Sequence, residues 1–345
     1  MNKELSIGFG TTCMHSGYEA EQHKSHLTPI YASSTYVFDS ADHAVDLFTG
    51  KQQGYIYGRF GNPTITQVEN KIAALETYSI SNADGTPLQA KAILHASGMG
   101  AISTLFLKKK KKGEKILTHL SLYGGTQELI DKVLPDCGLE TILINCKQLE
   151  LVEEAFKNDA TIKLLYLETP ANPTLQCVDI EALTKLAHTY HCKVAVDNTF
   201  ATPYLQQPFQ YGVDFVIHST TKFLNGHGTA IGGVLLGTDI PFMHGRATKH
   251  FRLLGASTNA FDAFLLNNGI KTLEVRMDRH CSNAEKVAQF LNQHPHVERV
   301  NYLGLEAHPD YALAKKQMRH AGALMSFEVK GGFEAGKKCI NALQI

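Results

Sequence analysis

The sequence predicts an α/β protein built on a mostly parallel, doubly wound sheet. Short apolar runs typical of buried strands alternate with segments of helical periodicity across residues 60–245. Two of these runs lead to side chains suited to chemistry. Cys192 to Val196 is followed by Asp197, and Phe215 to Ile217 is followed after a hydroxyl cluster by Lys222. Because ligands bind beyond the carboxyl ends of strands in open α/β sheets, we expect a site where these two strands end.

The first 60 residues predict an extended arm. They are rich in turn formers and aromatic side chains and hold little helical periodicity, apart from a short helix near Ser40 to Phe48 that Asp39 or Ser40 can cap. A segment that cannot bury its own apolar side chains usually lies on another surface. We therefore expect residues 1–60 to contact a neighbouring subunit.

Residues 61–250 are expected to form the main α/β domain, and residues 251–345 a smaller C-terminal α+β domain. The apolar patterns predict helices at 63–77, 101–107 and 181–190, and strands at 92–95, 116–118, 164–167, 192–196 and 215–217. In the C-terminal domain they predict a long helix from 261 toward 279 whose pattern continues over 284–291, and strands at 296–302 and 323–329.

A glycine turn joins the strand at 92–95 to the helix that follows it. The turn holds Ser97, Gly98 and Met99. The free N–H groups and the dipole of a helix N-terminus attract anions, so this turn is a candidate phosphate site. A dinucleotide-binding loop, as in a dehydrogenase, is the alternative. Its GxGxxG pattern is incomplete here, and no acidic residue follows at the expected distance.

Asp197 and Lys222 together favour pyridoxal phosphate. That cofactor needs an amine for its aldehyde, a carboxylate for its ring nitrogen, and donors for its phosphate. Lys222 supplies the amine, Asp197 the carboxylate, and the hydroxyls of Ser219 and Thr221 stand beside the lysine. A lone lysine is usually a surface cation, and a lone aspartate is usually a cap or a turn residue. The pair at neighbouring strand ends favours the cofactor.

The segment VDNTFATPYLQQPFQYGVDFVIHSTTKFLNGHG, residues 196–228, resembles the cofactor-lysine segment of the Cys/Met-metabolism (trans-sulfuration) family of pyridoxal-phosphate enzymes. The resemblance runs from about Thr11 to the last residue, and it is nearest to methionine γ-lyases, cystathionine γ-lyases and O-acetylhomoserine sulfhydrylases. It implies the type I fold of pyridoxal-phosphate-dependent transferases. It also implies that Lys222 holds the cofactor and moves the substrate proton, while Asp197 meets the ring nitrogen.

The resemblance assigns further roles around the ring. Tyr123 is expected to stack on the cofactor ring and to pass protons at the substrate. Asn172, in the ETPANP segment, is expected to bond the ring hydroxyl oxygen. The phosphate is expected to contact a set of backbone and hydroxyl donors, namely Ser97, Gly98, Met99, Ser219 and Thr221.

The YxR segment of the arm carries Tyr57 and Arg59. In the family this segment crosses to the neighbouring subunit and meets the cofactor phosphate there. A guanidinium suits that role because its planar fork gives phosphate two parallel hydrogen bonds. The resemblance therefore implies a homotetramer, a dimer of dimers, with shared active sites.

The activity implied is a carbon–sulfur lyase that eliminates the γ-substituent of methionine-like or cystathionine-like substrates, giving an α-keto acid, ammonia and a thiol. Gly125 stands where methionine γ-lyases typically carry cysteine, and GHGTAIGG resembles sulfhydrylases. A γ-replacement enzyme, either a cystathionine γ-synthase or an O-acetylhomoserine sulfhydrylase, is therefore the alternative.

Family members also continue past the position of Ile345, through a Ser-Leu-Gly segment and an arginine that grips the substrate carboxylate. On that ground we expect an incomplete C-terminal domain in a shortened enzyme. A chain that binds cofactor but does not turn over is a second alternative.

The composition favours a small-molecule partner. The chain of 345 residues has 33 basic and 33 acidic side chains, which gives no electrostatic case for nucleic acid or an anionic membrane. The 7 cysteines are scattered without paired spacing, and the N-terminus has no apolar segment of a signal peptide, so we expect a cytoplasmic protein. The 17 histidines form no metal-ligand motif, and we expect no metal site.

Overall fold

A seven-stranded sheet forms the centre of the protein. The computed structural model describes residues 7–19, 23–107 and 113–344, so the run of five lysines at 108–112 lies outside the described residues. The strands are β1 (Lys91–His95), β2 (Lys115–His119), β3 (Glu140–Ile144), β4 (Ile162–Glu168), β5 (Lys193–Asp197), β6 (Phe215–His218) and β7 (Gly233–Gly237), with β8 (Val297–Asn301) and β9 (Ser326–Val329) in a separate two-stranded sheet.

The helices surround this sheet and form most of the C-terminal region. They are α1 (Phe9–His15), α2 (Ala41–Phe48), α3 (Pro63–Glu76), α4 (Gly98–Phe106), α5 (Gly124–Glu128), α6 (Leu149–Asn158), α7 (Ile180–Thr189), α8 (Thr202–Leu205), α9 (Ile240–Phe242), α10 (Thr248–Leu254), α11 (Ala260–Ile270), α12 (Leu273–Asn292), α13 (Tyr311–Gln317) and α14 (Gly332–Ala342).

The large sheet has the order β1-β7-β6-β5-β4-β2-β3. The strands from β2 to β6 run parallel to one another, while β7 lies antiparallel between β1 and β6. This confirms the predicted mostly parallel sheet. The parallel order also carries the ends of β4, β5 and β6 to one edge, because parallel strands share their carboxyl end.

Both faces of the sheet are covered, as a doubly wound fold requires. Alternate residues of one strand point to opposite faces, so Leu94 and Val216 enter one hydrophobic core while their neighbours Ile93 and Ile217 enter the other. Helices α3, α7 and α11 contribute to the first core, and α4 and α10 to the second. The near-continuous apolar runs of these strands therefore reflect burial on both sides.

The arm is only partly extended. The predicted helix is present as α2, and the Ser40 hydroxyl caps it by accepting the N–H of His43 at 3.0 Å. An additional helix, α1, was not predicted. It buries Phe9 and Cys13 in the core that contains α3, and the Phe9 ring lies 5.3 Å from that of Tyr78. The beginning of the arm thus packs on its own subunit.

The helix predicted from residue 261 is two helices, α11 and α12, so the prediction of one long element was wrong. The carbonyl of Gly269 accepts a hydrogen bond from the guanidinium of Arg276 at 2.8 Å, and the Thr272 hydroxyl donates to the same carbonyl at 3.3 Å. These side-chain bonds, together with one from the Thr272 N–H at 3.4 Å, engage the Gly269 carbonyl where α11 ends. The break matters for the site because Arg276 also donates to the carbonyl of Phe223 at 2.8 Å.

The C-terminal region combines helices with a small two-stranded sheet. Strands β8 and β9 pair antiparallel, and Ala284 and Ala288 of α12 pack with Val300 and Tyr302 in a core of their own. Within the described ranges, no helix combines the length and the apolar character needed to cross a bilayer.

Candidate active site

The site lies at the edge where β4, β5 and β6 end. Asp197 is the last residue of β5, and it lies opposite Glu168 of β4 and Ile217 of β6 in the parallel register. The chain leaves β6 at His218 and reaches Lys222 four residues later. The two predicted strand ends are therefore adjacent, as their order in the sequence suggested.

A cavity of about 740 Å³ opens at this edge. That volume is in the range of sites for small ligands and cofactors. Of the predicted site residues, the cavity is lined by Ser97, Gly98, Met99, Tyr123, Asn172, Asp197, Ser219, Thr221 and Lys222.

Asp197 is held at the base of the cavity by three hydrogen bonds. One oxygen, Oδ1, accepts the N–H and the hydroxyl of Thr199 at 3.0 and 2.5 Å, and Oδ2 accepts the hydroxyl of Tyr166 at 3.2 Å. Burial raises the pKa of Asp197, while the bonds from Thr199 and the nearby His218 lower it. Among the described residues Asp197 forms no ion pair. A buried carboxylate in this position suits a cationic group of a ligand.

Thr199 links the two strand ends. Its hydroxyl donates to Asp197 and accepts the N–H of Ser219 at 2.8 Å. The loop that carries Lys222 is therefore tied to the end of β5 through one side chain. Sequence reasoning passed over Thr199, although its position two residues after Asp197 is typical of a residue that bonds back to an aspartate.

The loop after β6 holds Lys222 through its backbone. The Lys222 N–H donates to the carbonyl of Ser219 at 3.2 Å, and the Lys222 carbonyl accepts from Gly226 at 2.8 Å. The bond from Arg276 to the Phe223 carbonyl fixes the next residue. The Lys222 side chain itself is exposed to the cavity. It is an amine on a fixed backbone with access to a ligand.

The glycine turn before α4 lines the cavity and is the candidate anion site. The Ser97 hydroxyl caps α4 by accepting the N–H of Gly100 at 3.0 Å, so the first N–H groups of the helix face the turn. Ser219 packs against Gly98 so closely that a Cβ added there would lie 2.9 Å from the Ser219 Cβ. Only glycine allows this approach of the two segments that are predicted to contact a phosphate.

Thr221 lines the cavity, but its hydroxyl is already engaged. It donates to the carbonyl of Gly232 at 3.2 Å and accepts the Gly232 N–H at 3.0 Å. The Thr221 hydroxyl therefore donates its hydrogen to the protein backbone and not to a ligand. Ser219 and the N-terminus of α4 remain the better placed donors for an anion.

Replacing Gly98 by alanine is expected to weaken phosphate-dependent cofactor binding. The added methyl group forces α4 and the Ser219 segment apart, and such overpacking typically costs about 1–3 kcal/mol. Roughly tenfold weaker binding of pyridoxal phosphate should follow, measured by equilibrium dialysis. Gly100 on the same helix is the control, since its added Cβ would lie 3.4 Å from the nearest atom. Equal affinities of the two variants would contradict the assignment.

Tyr123 and Asn172 enter the cavity from two different segments. Tyr123 precedes α5 and its side chain is 48% exposed, so the ring is available to a ligand. Asn172 lies in the loop after β4. Both backbone N–H groups donate to the carboxylate of Glu168, which the sequence analysis did not assign. Glu168 follows a buried apolar strand as Asp197 does, so the same signal was present.

The predicted residues Tyr57 and Arg59 lie away from this cavity. The Arg59 guanidinium donates to the carbonyl of Arg252 at 2.6 Å and lies 5.0 Å from the ring centre of Phe60. Arg252 in turn donates to the Phe60 carbonyl at 3.0 Å. Within one subunit these residues do not join the other nine, so their predicted role depends on a second subunit.

A buried polar network links the strand ends of the site to helix α3. Glu76, at the end of α3, and His218 are both fully buried, and His218 Nε2 lies 2.5 Å from Glu76 Oε1. Asn198, next to Asp197, donates to the same Glu76 oxygen at 3.1 Å and to the carbonyl of Gln206 at 2.8 Å. These contacts join residues far apart in the chain.

The profile of the family described as Cys/Met metabolism PLP-dependent enzyme matches residues 10–345. The chain belongs to this family. Pyridoxal phosphate is accordingly its cofactor, and the type I fold implied by the sequence is confirmed. Membership of this family is consistent with a cavity that combines a buried carboxylate, an amine and a glycine turn before a helix.

Characterised proteins resemble the chain over most of its length. It is 45% identical over 339 residues to L-methionine gamma-lyase of Fusobacterium nucleatum subsp. polymorphum, covering 98% of this chain and 82% of the relative. It is 36% identical to O-succinylhomoserine sulfhydrylase of Pseudomonas aeruginosa, covering 98% and 80%. The crystal structure of metB from Corynebacterium glutamicum matches with a TM-score of 0.89 and 39% identity, covering 98% of this chain and 83% of that one.

Proposed function

We propose that this enzyme is a carbon–sulfur lyase that eliminates the γ-substituent of methionine or cystathionine-like amino acids. With one water, methionine would give 2-oxobutanoate, ammonia and methanethiol. The observation that carries the proposal is the placement of Asp197 and Lys222 at neighbouring strand ends on one cavity. The 45% identity to an L-methionine gamma-lyase supports the elimination chemistry.

The residues present fit pyridoxal phosphate. The buried Asp197 carboxylate suits a protonated ring nitrogen, because an opposite charge stabilises an ionised carboxylate at a buried position. The turn at Gly98, with Ser219 packed on it, suits the phosphate. Lys222 provides the amine for the aldehyde, and Tyr123 and Asn172 provide a ring face and an amide.

When bound, the cofactor supplies an electron sink for the bond that breaks at the substrate Cα. The protein supplies the proton transfers. Lys222 Nζ takes the Cα proton, since it is the amine exposed in the cavity. The Tyr123 hydroxyl would give a proton to the departing sulfur, since its ring is exposed in the cavity. Asp197 would hold its negative charge against the protonated ring nitrogen.

A γ-replacement activity is the second candidate. Gly125 favours it, because methionine γ-lyases typically carry cysteine there. In this structure a Cβ at Gly125 would lie 2.6 Å from the Tyr123 ring. The Tyr123 ring thus occupies the space that such a side chain would need. The 36% identity to a sulfhydrylase also supports this candidate.

One assay separates these activities. Purified holoenzyme would be incubated with methionine alone, and with O-acetylhomoserine plus sulfide, while 2-oxobutanoate and homocysteine are quantified. Keto acid from methionine alone supports the lyase. Homocysteine from the second mixture, without keto acid from methionine, would assign the protein as a replacement enzyme. Cofactor binding without either product would identify a chain that binds but does not turn over.

We further propose a cytoplasmic homotetramer in which the arm completes the neighbouring site. Tyr57 and Arg59 lie outside the cavity of their own subunit, which supports a role across an interface. The arm also exposes apolar side chains, with Val37 95% and Phe48 of α2 64% exposed. Such exposed apolar surface favours burial against a second copy.

Mixing two inactive variants tests the shared site. Each variant, Lys222→Ala or Arg59→Ala, lacks one of the two residues that a shared site needs. In a mixed dimer, one of the two sites combines Lys222 of one subunit with Arg59 of the other, so that site is intact. Random exchange of subunits should restore activity to about one quarter of wild type, because half of the dimers are mixed and each has one good site. Activity that stays at the level of the separate variants would place Arg59 in its own subunit's site.

A further inference from the structure

Glu168 is a buried carboxylate in the cavity with 7% of its surface exposed. Its Oε2 accepts the backbone N–H of Tyr123 at 2.6 Å, and its Oε1 accepts the backbone N–H of Asn172 at 3.1 Å. We propose that Glu168 is a positioning residue that clamps these two segments, so that the Tyr123 ring and the Asn172 amide are held in place around the bound cofactor. This inference rests on the proposed function of the site.

Burying the Glu168 carboxylate at this position is energetically unfavourable, which argues against an incidental role. It lies directly opposite Asp197 in the parallel register of β4 and β5, so two carboxylates are buried side by side. Burial and the charge of Asp197 raise the pKa of Glu168 to about 7, whereas the bonds from the two N–H groups lower it. The two hydrogen bonds are the interactions that offset this cost, and they are the contacts of the clamp.

The clamp joins segments that no regular element joins. Tyr123 follows β2, and Asn172 follows β4, the strand that Glu168 ends. Strands β2 and β4 are neighbours, so their following loops leave the sheet side by side. Each carboxylate oxygen of Glu168 accepts a hydrogen bond from one of these loops. Glutamine has nearly the same shape, but it replaces one acceptor by an NH₂ group, which would face an N–H donor and release one segment.

The test compares Glu168→Gln with Glu69→Gln in the holoenzyme. Glu69 is the matched control, because its Oε1 also accepts a backbone N–H, that of Leu94 at 2.8 Å, but it does not line the cavity. For Glu168→Gln we expect the Kd for pyridoxal phosphate to rise about tenfold and the circular dichroism of the bound cofactor to decrease. The control should keep both values. Wild-type values for Glu168→Gln would overturn the clamp.

Hydrogen exchange on the wild type keeps the proposal testable if the variant does not fold. The amides of Tyr123 and Asn172 should exchange about a hundredfold more slowly than in an unstructured peptide. Exchange of both amides at the unstructured rate would overturn the clamp. This readout is independent of turnover. Failure to cleave methionine would remove the proposed lyase activity while the protection of the two amides would still stand.

Discussion

Replacing Lys222 by alanine is expected to lower kcat for methionine cleavage by at least about 10³-fold. The variant loses both the amine that attaches the cofactor and the base that moves the Cα proton, and one positioned base alone contributes about 10²–10⁴-fold. The measurement is the steady-state release of 2-oxobutanoate at saturating cofactor. Cofactor should still be retained by Asp197 and the glycine turn, so the loss should appear in kcat rather than in protein stability.

Two control variants sharpen this prediction. Lys222→Arg keeps the positive charge but cannot act as the amine at neutral pH, so its kcat should be as low as that of the alanine variant. Lys185→Ala removes an exposed lysine of α7 that pairs with Glu181, and its kcat should equal that of the wild type. A Lys222→Ala enzyme within tenfold of the wild type would contradict the assignment.

Replacing Glu76 by alanine is expected to lower the free energy of unfolding by about 3–5 kcal/mol. Glu76 accepts from Asn198 and contacts His218, and all three side chains are fully buried. The substitution leaves two buried polar groups without their acceptor and also opens a cavity, so both the hydrogen-bonding and the packing losses apply. Urea unfolding of the holoenzyme, followed by far-ultraviolet circular dichroism, measures the change.

The matched control is Glu154→Ala in α6, where the side chain is exposed. A substitution of that kind usually changes stability by less than about 0.5 kcal/mol. If Glu76→Ala unfolds at the same urea concentration as Glu154→Ala, the buried network around Glu76 does not stabilise the folded protein.

The parts of the fold that could be predicted are those whose signal is local. Strands β4, β5 and β6 are apolar runs buried on both faces, and such runs are recognisable in a sequence. Strand β7, with the sequence GVLLG, was not predicted, because it follows a glycine-rich loop and its glycine ends weaken the strand pattern. It lies antiparallel between β6 and the distant strand β1. The division between α11 and α12 was also missed, since it depends on the tertiary contacts of Arg276.

The residues of the site also differ in whether the sequence could predict them. Asp197 and Lys222 were predictable because the polar end of a core strand marks the ligand edge of an α/β sheet. Glu76 and His218 were not, because their contact joins the end of a helix to the end of a strand 142 positions away. Glu168 carried a usable signal, but its position before a turn with two prolines drew the interpretation to Asn172 instead.

Locating the residue that carries the cofactor tests the central claim most directly. The holoenzyme would be reduced with borohydride and digested, and the peptide that retains a pyridoxyl group would be sequenced by mass spectrometry. The structure predicts that the label is on Lys222, the lysine that lines the cavity together with Asp197. A label on any other lysine, or a protein that retains no cofactor after saturation and reduction, would contradict this account of the site.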